Sequence, residues 1–185
     1  MKIIFVRHGE SENNARLSDD KNSGLTKRGE KQARLLGDSL KKERISVIYT
    51  SDLLRAKETG EIISKIIGVP VKNNFEELNE YPSGNLRSRL KLLFNKRLKK
   101  LKKLLNEISR NRNRDKTILI VAHGITNKII MGYFVELPLR KQLLRFKQHN
   151  TCINTISWSE EYNNWTLDCM NNVSHLPKQL VGYRK

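Results

Sequence analysis

The sequence predicts an α/β fold: a three-layer α/β/α sandwich around a mostly parallel central sheet. Three observations carry this expectation. Short apolar runs at Lys2–Val6, Ile45–Tyr49 and Thr117–Val121 alternate with longer segments of helical periodicity. That alternation is the mark of strand–helix–strand units, whose crossovers lay helices over both faces of a sheet. The length of 185 residues fits one domain spanning residues 1–185, with no internal repeat and no linker of distinct composition.

Each element has a local reason. Lys2–Val6 is a short apolar strand. Thr26–Leu40 reads as a helix with Thr26 as N-cap and with Leu35, Leu36 and Leu40 on a shared buried face. Ile45–Tyr49 is strand-like, and Asp52–Ile67 is helical, with Ser51 as N-cap and Gly68-Val69-Pro70 as the stop. Val69–Lys72 is expected as a short edge strand. Residues 73–86, with Pro82 and Gly84, lack periodicity and read as a loop. Leu86–Arg110 is a long helix with Leu90, Leu93, Leu98, Leu101, Leu105 and Ile108 near one face. Thr117–Val121 is a fully apolar strand and Gly124–Val135 a helix. Cys152–Trp158 and Trp165–Met170 read as strands joined across the polar turn Glu160–Asn164, with Trp158 and Trp165 packing beside it.

Charge is the outlying property. Thirty-six Lys and Arg against 19 Asp and Glu give +17, a balance that suits attraction of phosphorylated substrates or contact with a polyanion. Residues 87–116 hold thirteen Lys or Arg and two acids, Glu107 and Asp115. A solvated helix face, whose long side chains cover apolar surface, is the simplest account. The alternative is a surface for nucleic acid or an acidic partner, although no interleaved aromatics suggest a nucleic-acid groove. Cys152 and Cys169 form no disulfide framework and no metal-ligand spacing. With no signal peptide and no apolar span, they lead to the expectation of a soluble, cytoplasmic protein without membrane contact.

The chemistry-bearing residues cluster at strand ends. The first strand delivers Arg7-His8-Gly9-Glu10-Ser11-Glu12-Asn13-Asn14, and open α/β sheets bind ligands at the carboxyl ends of their strands. Val121-Ala122-His123-Gly124 repeats the pattern of a strand followed by His-Gly. Ser51-Asp52-Leu53-Leu54-Arg55 puts an Arg on the first turn of a helix after a strand. Leu78-Asn79-Glu80-Tyr81-Pro82-Ser83-Gly84 sets a Glu in the loop before the basic helix.

Taken together and in this order, these motifs resemble the histidine phosphatase superfamily, the phosphoglycerate mutase-like family. The likeness extends to Leu-Thr-x-x-Gly-x-x-Gln-Ala at 25–33, Ser-Asp-Leu-x-Arg-Ala-x-x-Thr at 51–59, Asn150-Thr151-Cys152 and the tail around His175-Leu176. It implies His8 as the nucleophile that becomes phosphohistidine. Neutral imidazole suits the task, because its ordinary pKa lies near 6.5. Arg7 and Arg55 supply planar forks for phosphate oxygens, and His123, when protonated, adds charge. The helix after Gly124 offers backbone N–H groups at its positive end.

The resemblance further assigns to Glu80 the protonation of the leaving group and the activation of water, with Glu76 and Glu77 as neighbouring competitors. It gives Asn14 a phosphate contact, with the register against the adjacent Asn13 open by one residue. Neither cofactor nor metal is expected, since the Arg and His cluster provides the positive charge. Glu10 and Ser11 are expected to shape the loop, His149 to lie at the surface and His175 to pack the tail or rim the pocket. Cys152 is expected to be a buried hydrophobe.

Phosphatases and mutases of the family share one phosphohistidine step. Residues 15–24 lack the Phe-Thr-Gly-type segment of the mutases, and Arg87 and Arg89, split by Ser88, only loosely imitate their paired Arg clamp. The favoured reading is a phosphatase of small phosphomonoesters of sugar phosphate or phosphoglycerate type. A 2,3-bisphosphoglycerate-dependent phosphoglycerate mutase is the alternative, since the 78–86 loop is mutase-like. A member directed at protein or nucleic acid through the basic helix is the third reading.

Overall fold

The computed structural model describes residues 1–82, 96–110, 116–139, 141, 143 and 146–182. In chain order its elements are β1 (Lys2–Arg7), α1 (Lys27–Leu40), β2 (Ile45–Ser51), α2 (Leu54–Ile67), β3 (Val71–Phe75), α3 (Lys96–Arg110), β4 (Thr117–Ala122), α4 (Gly124–Phe134), β5 (Ile153–Ser159) and β6 (Asn164–Asn172). Single 3₁₀ turns occupy Glu76–Leu78 and Lys178–Leu180. The strands form one sheet in the order β3-β2-β4-β1-β5-β6. The pairs β2/β3, β2/β4 and β1/β4 are parallel, whereas β1/β5 and β5/β6 are antiparallel. The sheet is therefore mixed, with β5 running against the others.

The apolar runs of β1 and β4 follow from burial on both faces. Ile3 and Phe5 point with Ile118 and Ile120 into one core, shared with Leu98, Leu101 and Leu105 of α3 and Ile129, Ile130 and Phe134 of α4. Ile4 and Val6 point with Leu119 and Val121 into the other, against Leu36 and Leu40 of α1 and Ala56 and Ile63 of α2. Alternate side chains of one strand thus serve opposite layers. Each such fully buried side chain contributes about 1.5–3 kcal/mol. Among the described residues, no helix is long and apolar enough to cross a membrane.

Several expectations shift at element boundaries. Thr26 caps α1, its hydroxyl accepting from Gly29 N at 3.0 Å. Leu35 is half-buried beside the fully buried Leu36. Ser51 is not the N-cap of α2: it ends β2, and Leu53 holds the cap position with extended backbone. Gly68 ends α2 as expected, in the left-handed region at φ 72°. The edge strand lies at Val71–Phe75 instead of 69–72, so the loop expected from 73 begins as strand and 3₁₀ turn. Of the basic helix, Lys96–Arg110 is described, while its expected beginning from Leu86, with Arg87 and Arg89, lies outside the described residues. In α3, Leu98, Leu101 and Leu105 are buried, and Lys96, Lys99, Lys100, Lys102, Lys103 and Arg110 are exposed.

Candidate active site

Because β1 and β4 are parallel neighbours, with Arg7 opposite Ala122, their His-Gly ends arrive side by side. The rings of His8 and His123 lie 4.9 Å apart between centroids, and both are buried. Arg55 reaches them from the first turn of α2. Glu80 enters from the loop after β3, and its Oε1 accepts the N–H of Ile125 at 2.9 Å, at the start of α4.

The hydrogen bonds fix what each group can do. His8 Nδ1 lies 2.6 Å from the carbonyl of Gly9, an acceptor only, so Nδ1 carries the proton. His8 Nε2 then keeps its lone pair, which accepts from Arg55 Nε at 3.2 Å. Burial, with the charges of His123, Arg7 and Arg55 behind it, holds His8 well below the ordinary imidazole value. It is a neutral imidazole with an available lone pair. Arg55 Nη1 is anchored on Lys21 O at 2.7 Å, and Arg7 Nη1 on Gln148 O at 2.8 Å.

His123 is oriented the other way. Its Nε2 lies 2.8 Å from Ser51 Oγ, whose hydroxyl donates to Asn79 Oδ1 at 2.6 Å. Burial, then Arg55, Arg7 and Arg97, depress its pKa well below the usual value. The charge that His123 would add when protonated is thus disfavoured in the ligand-free site. Glu80 moves the opposite way: burial raises its pKa, outweighing Arg7, the Ile125 N–H and Arg55. A carboxyl that holds its proton more firmly than usual suits proton donation.

Other candidates fall into place around this group. Gly124 abuts Arg7, and a Cβ built on it would meet the guanidinium at ordinary contact distance. The α4 N-terminus is not simply open to a phosphate, however, because Glu80 takes the Ile125 N–H. The Asn14 carboxamide is joined to the site through Asn150: its Oδ1 accepts from Asn150 Nδ2 at 3.4 Å, which also donates to His8 O at 3.1 Å. Asn13, one residue earlier, lines the pocket. Glu76 and Glu77 sit in the 3₁₀ turn, and only Glu80 reaches the α4 N-terminus. Cys152 is buried, with its thiol pushed up to about 12. His149 is half-buried, and its N–H donates to Asn171. His175 packs the tail, its Nε2 3.3 Å from Thr151 Oγ1.

The loop after β1 is pinned on α1. A side chain at Gly9 would strike the backbone of Gly29, and one at Gly29 the carbonyl of Glu10, so the two segments touch only because both positions are glycine. Buried Glu10 donates its N–H to Gln32 Oε1 at 2.9 Å, and its Oε2 pairs with Arg28 Nε at 3.2 Å. The same two side chains grip the C-terminal tail. Gln32 Nε2 donates to Leu180 O at 2.8 Å, and Arg28 to Gln179 O and Gly182 O.

A pocket of about 690 Å³ opens on Arg55 and Glu80, lined also by Asn13, Lys21, Asn79 and Arg97. Arg97 is a site residue that sequence reasoning missed. Its guanidinium stacks 4.1 Å over the Tyr81 ring and donates to Glu80 O at 2.8 Å. Within a run of lysines and arginines nothing local set it apart. Ser51, whose position before a helix suggests a cap, and Asn79, beside Glu80, complete the group around His123.

Comparison with known proteins identifies a family and shared folds. The model of the histidine phosphatase superfamily (branch 1) matches residues 3–92 and 93–173. A probable phosphoglycerate mutase GpmB of Photorhabdus laumondii is 29% identical over 95% of both chains. A phosphoserine phosphatase from Entamoeba histolytica, solved as a mutant with phosphoserine, superposes with TM-score 0.75 at 25% identity, over 95% of this chain and 99% of that one. A mycobacterial glucosyl-3-phosphoglycerate phosphatase shares the fold at TM-score 0.73 and 18% identity, over 92% and 98%.

Proposed function

Because the chain belongs to the histidine phosphatase superfamily (branch 1), we propose that it hydrolyses small phosphomonoesters through a phosphohistidine on His8. The observation that carries this reading is the tautomer of His8. Its Nδ1 proton is committed to Gly9 O, and its Nε2 lone pair faces Arg55 in the site that also holds the Glu80 carboxyl. A phosphoryl group placed among Arg7, Arg55 and His123 meets a nucleophile in His8 and a proton donor in Glu80, which lines the pocket.

In the first step His8 Nε2 forms a bond to phosphorus as the ester oxygen leaves, and that oxygen takes the Glu80 proton. In the second, the Glu80 carboxylate removes a proton from water, the water oxygen bonds to phosphorus and the N–P bond breaks, releasing phosphate. The side chains of Arg7 and Arg55 meet the charge spread over the transferring oxygens; donors of this kind contribute roughly 3–4 kcal/mol each in favourable cases. Lys21 and Arg97 on the pocket wall favour phosphoglycerate-type substrates, with a second negative group, over neutral sugar phosphates. The two free cysteines suit a reducing compartment such as the cytoplasm.

The test is turnover of a phosphomonoester panel in EDTA. Release of phosphate that disappears in His8→Ala supports the reading, and release retained in that variant overturns it. The relationship to proteins named probable phosphoglycerate mutase supports a second reading. Conversion of 3-phosphoglycerate to 2-phosphoglycerate faster than phosphate release, with a trace of 2,3-bisphosphoglycerate, would favour it.

A further inference from the structure

Ser51 decides which nitrogen of His123 carries the proton. Its Oγ lies at the centre of three contacts: it accepts the Leu53 N–H at 3.2 Å, donates its one proton to Asn79 Oδ1 at 2.6 Å, and lies 2.8 Å from His123 Nε2. With the hydroxyl proton spent on Asn79, His123 Nε2 must be the donor in the third contact. The main chain of Asn79 is held beside it, its backbone carbonyl accepting from Thr126 Oγ1 at 2.8 Å. The neutral His123 ring is therefore the Nε2–H tautomer, and its buried Nδ1 has no hydrogen-bond partner among the described residues.

An unprotonated Nδ1 offers a lone pair, which repels a phosphate oxygen. For His123 to donate to a bound phosphoryl group while Nε2 stays on Ser51, Nδ1 must gain a proton. Burial and the charged groups facing the ring explain why it lacks one beforehand. Burial comes first, and Arg55 from α2, Arg7 from β1 and Arg97 from α3 then disfavour a cation on the ring; the adjacent His8 ring is itself neutral, and burial favours the protonated form of Glu80 in the same site. A bound dianion reverses that balance.

We propose that Ser51 is a positioning residue that locks His123 as the Nε2–H tautomer, so that binding of a phosphoryl dianion draws one proton from solvent onto His123 Nδ1. This rests on the phosphatase reading of the same site and adds to it a coupling between substrate capture and protonation. Affinity for the dianion then weakens about tenfold for each unit rise in pH across the range in which the free ring is neutral and the bound ring charged.

Tungstate, which stays a dianion throughout the neutral range, is the probe, and its binding is measured calorimetrically in buffers of different ionisation enthalpy. The wild-type protein is expected to take up about one proton per tungstate. In Ser51→Ala the ring is free to adopt the Nδ1–H tautomer, so uptake and the pH dependence of Kd both fall toward zero. His123→Gln, whose amide donates without ionising, loses the uptake as well, and Glu80→Gln keeps it. Absence of uptake in wild type, full uptake in Ser51→Ala, or uptake lost in Glu80→Gln and kept in His123→Gln would each overturn the proposal. Phosphatase turnover without proton uptake defeats this coupling alone, whereas failure to bind tungstate defeats it together with the phosphatase reading.

Discussion

The ends of β1 and β4 are near-copies in sequence, each a buried apolar strand followed by His-Gly, yet they hold their imidazoles in opposite tautomers. His8 is fixed through Nδ1 by a main-chain carbonyl one residue away, which leaves Nε2 as a base. His123 is fixed through Nε2 by a side chain 72 residues distant. The backbone bond comes with the turn and is insensitive to side-chain identity. The Ser51 bond depends on one hydroxyl. The same dipeptide thus supplies a nucleophile in one strand and a conditional donor in the next, and the difference lies in the partner rather than in the histidine.

Substitutions separate the two roles. His8→Ala removes the group that bonds to phosphorus, and kcat is expected to fall about 10⁴-fold or more, with no phosphoprotein trapped from a labelled substrate. Glu80→Gln should cost about 10²–10⁴-fold, more for alkyl phosphates than for p-nitrophenyl phosphate, whose leaving group needs no proton. If both substrates slow equally, Glu80 is not the acid. His123→Gln is expected to lower kcat by about 10²–10³-fold while a phosphoenzyme still forms, because it loses a donor rather than the nucleophile.

The smallest effect is on stability. Both imidazoles have folded-state pKa values below the unfolded value near 6.5, so the unfolded chain binds more protons as acid is added. Their contribution to stability is complete above about pH 6.5 and is lost as pH falls toward the folded values. Glu80, with its folded value raised, has the opposite sign: its contribution is present below the ordinary carboxyl value and lost as pH rises through the folded one. Tm should fall between about pH 7.5 and about pH 5.5, and less steeply in His123→Gln, which retains one of the two histidines. An unchanged slope would mean that His123 is not held neutral.

What could be read from the sequence was what local pattern determines. Ile3 to Val6 and Ile118 to Val121 announce strands buried on both faces, and the His-Gly steps after them announce a site. Ser51 shows where local pattern fails. A serine before Leu53-Leu54-Arg55 looks like a helix cap, but it ends β2 and Leu53 takes the cap position; its hydroxyl accepts the Leu53 N–H and also meets His123 and Asn79, which only the folded sheet brings near. The strand Val71–Phe75 was misplaced for a related reason. Its central residues, Lys72, Asn73 and Asn74, are polar and exposed, and pairing with β2 rather than apolar pattern makes it a strand. Arg97 was hidden by its neighbours, since a helix rich in lysine and arginine gives no local sign of which cation turns inward.

The grip of Arg28 and Gln32 on both Glu10 and residues 179–182 makes the far end of the polypeptide a neighbour of the reactive loop in everything but sequence. Carboxypeptidase trimming past Leu180, or a purification handle that pulls Gly182 away, would strip two side chains of the partners that keep them braced against the loop. Loss of those contacts is expected to loosen the loop and lower turnover. Truncated preparations of normal fold and poor turnover should be checked for their last residues before their active site is blamed.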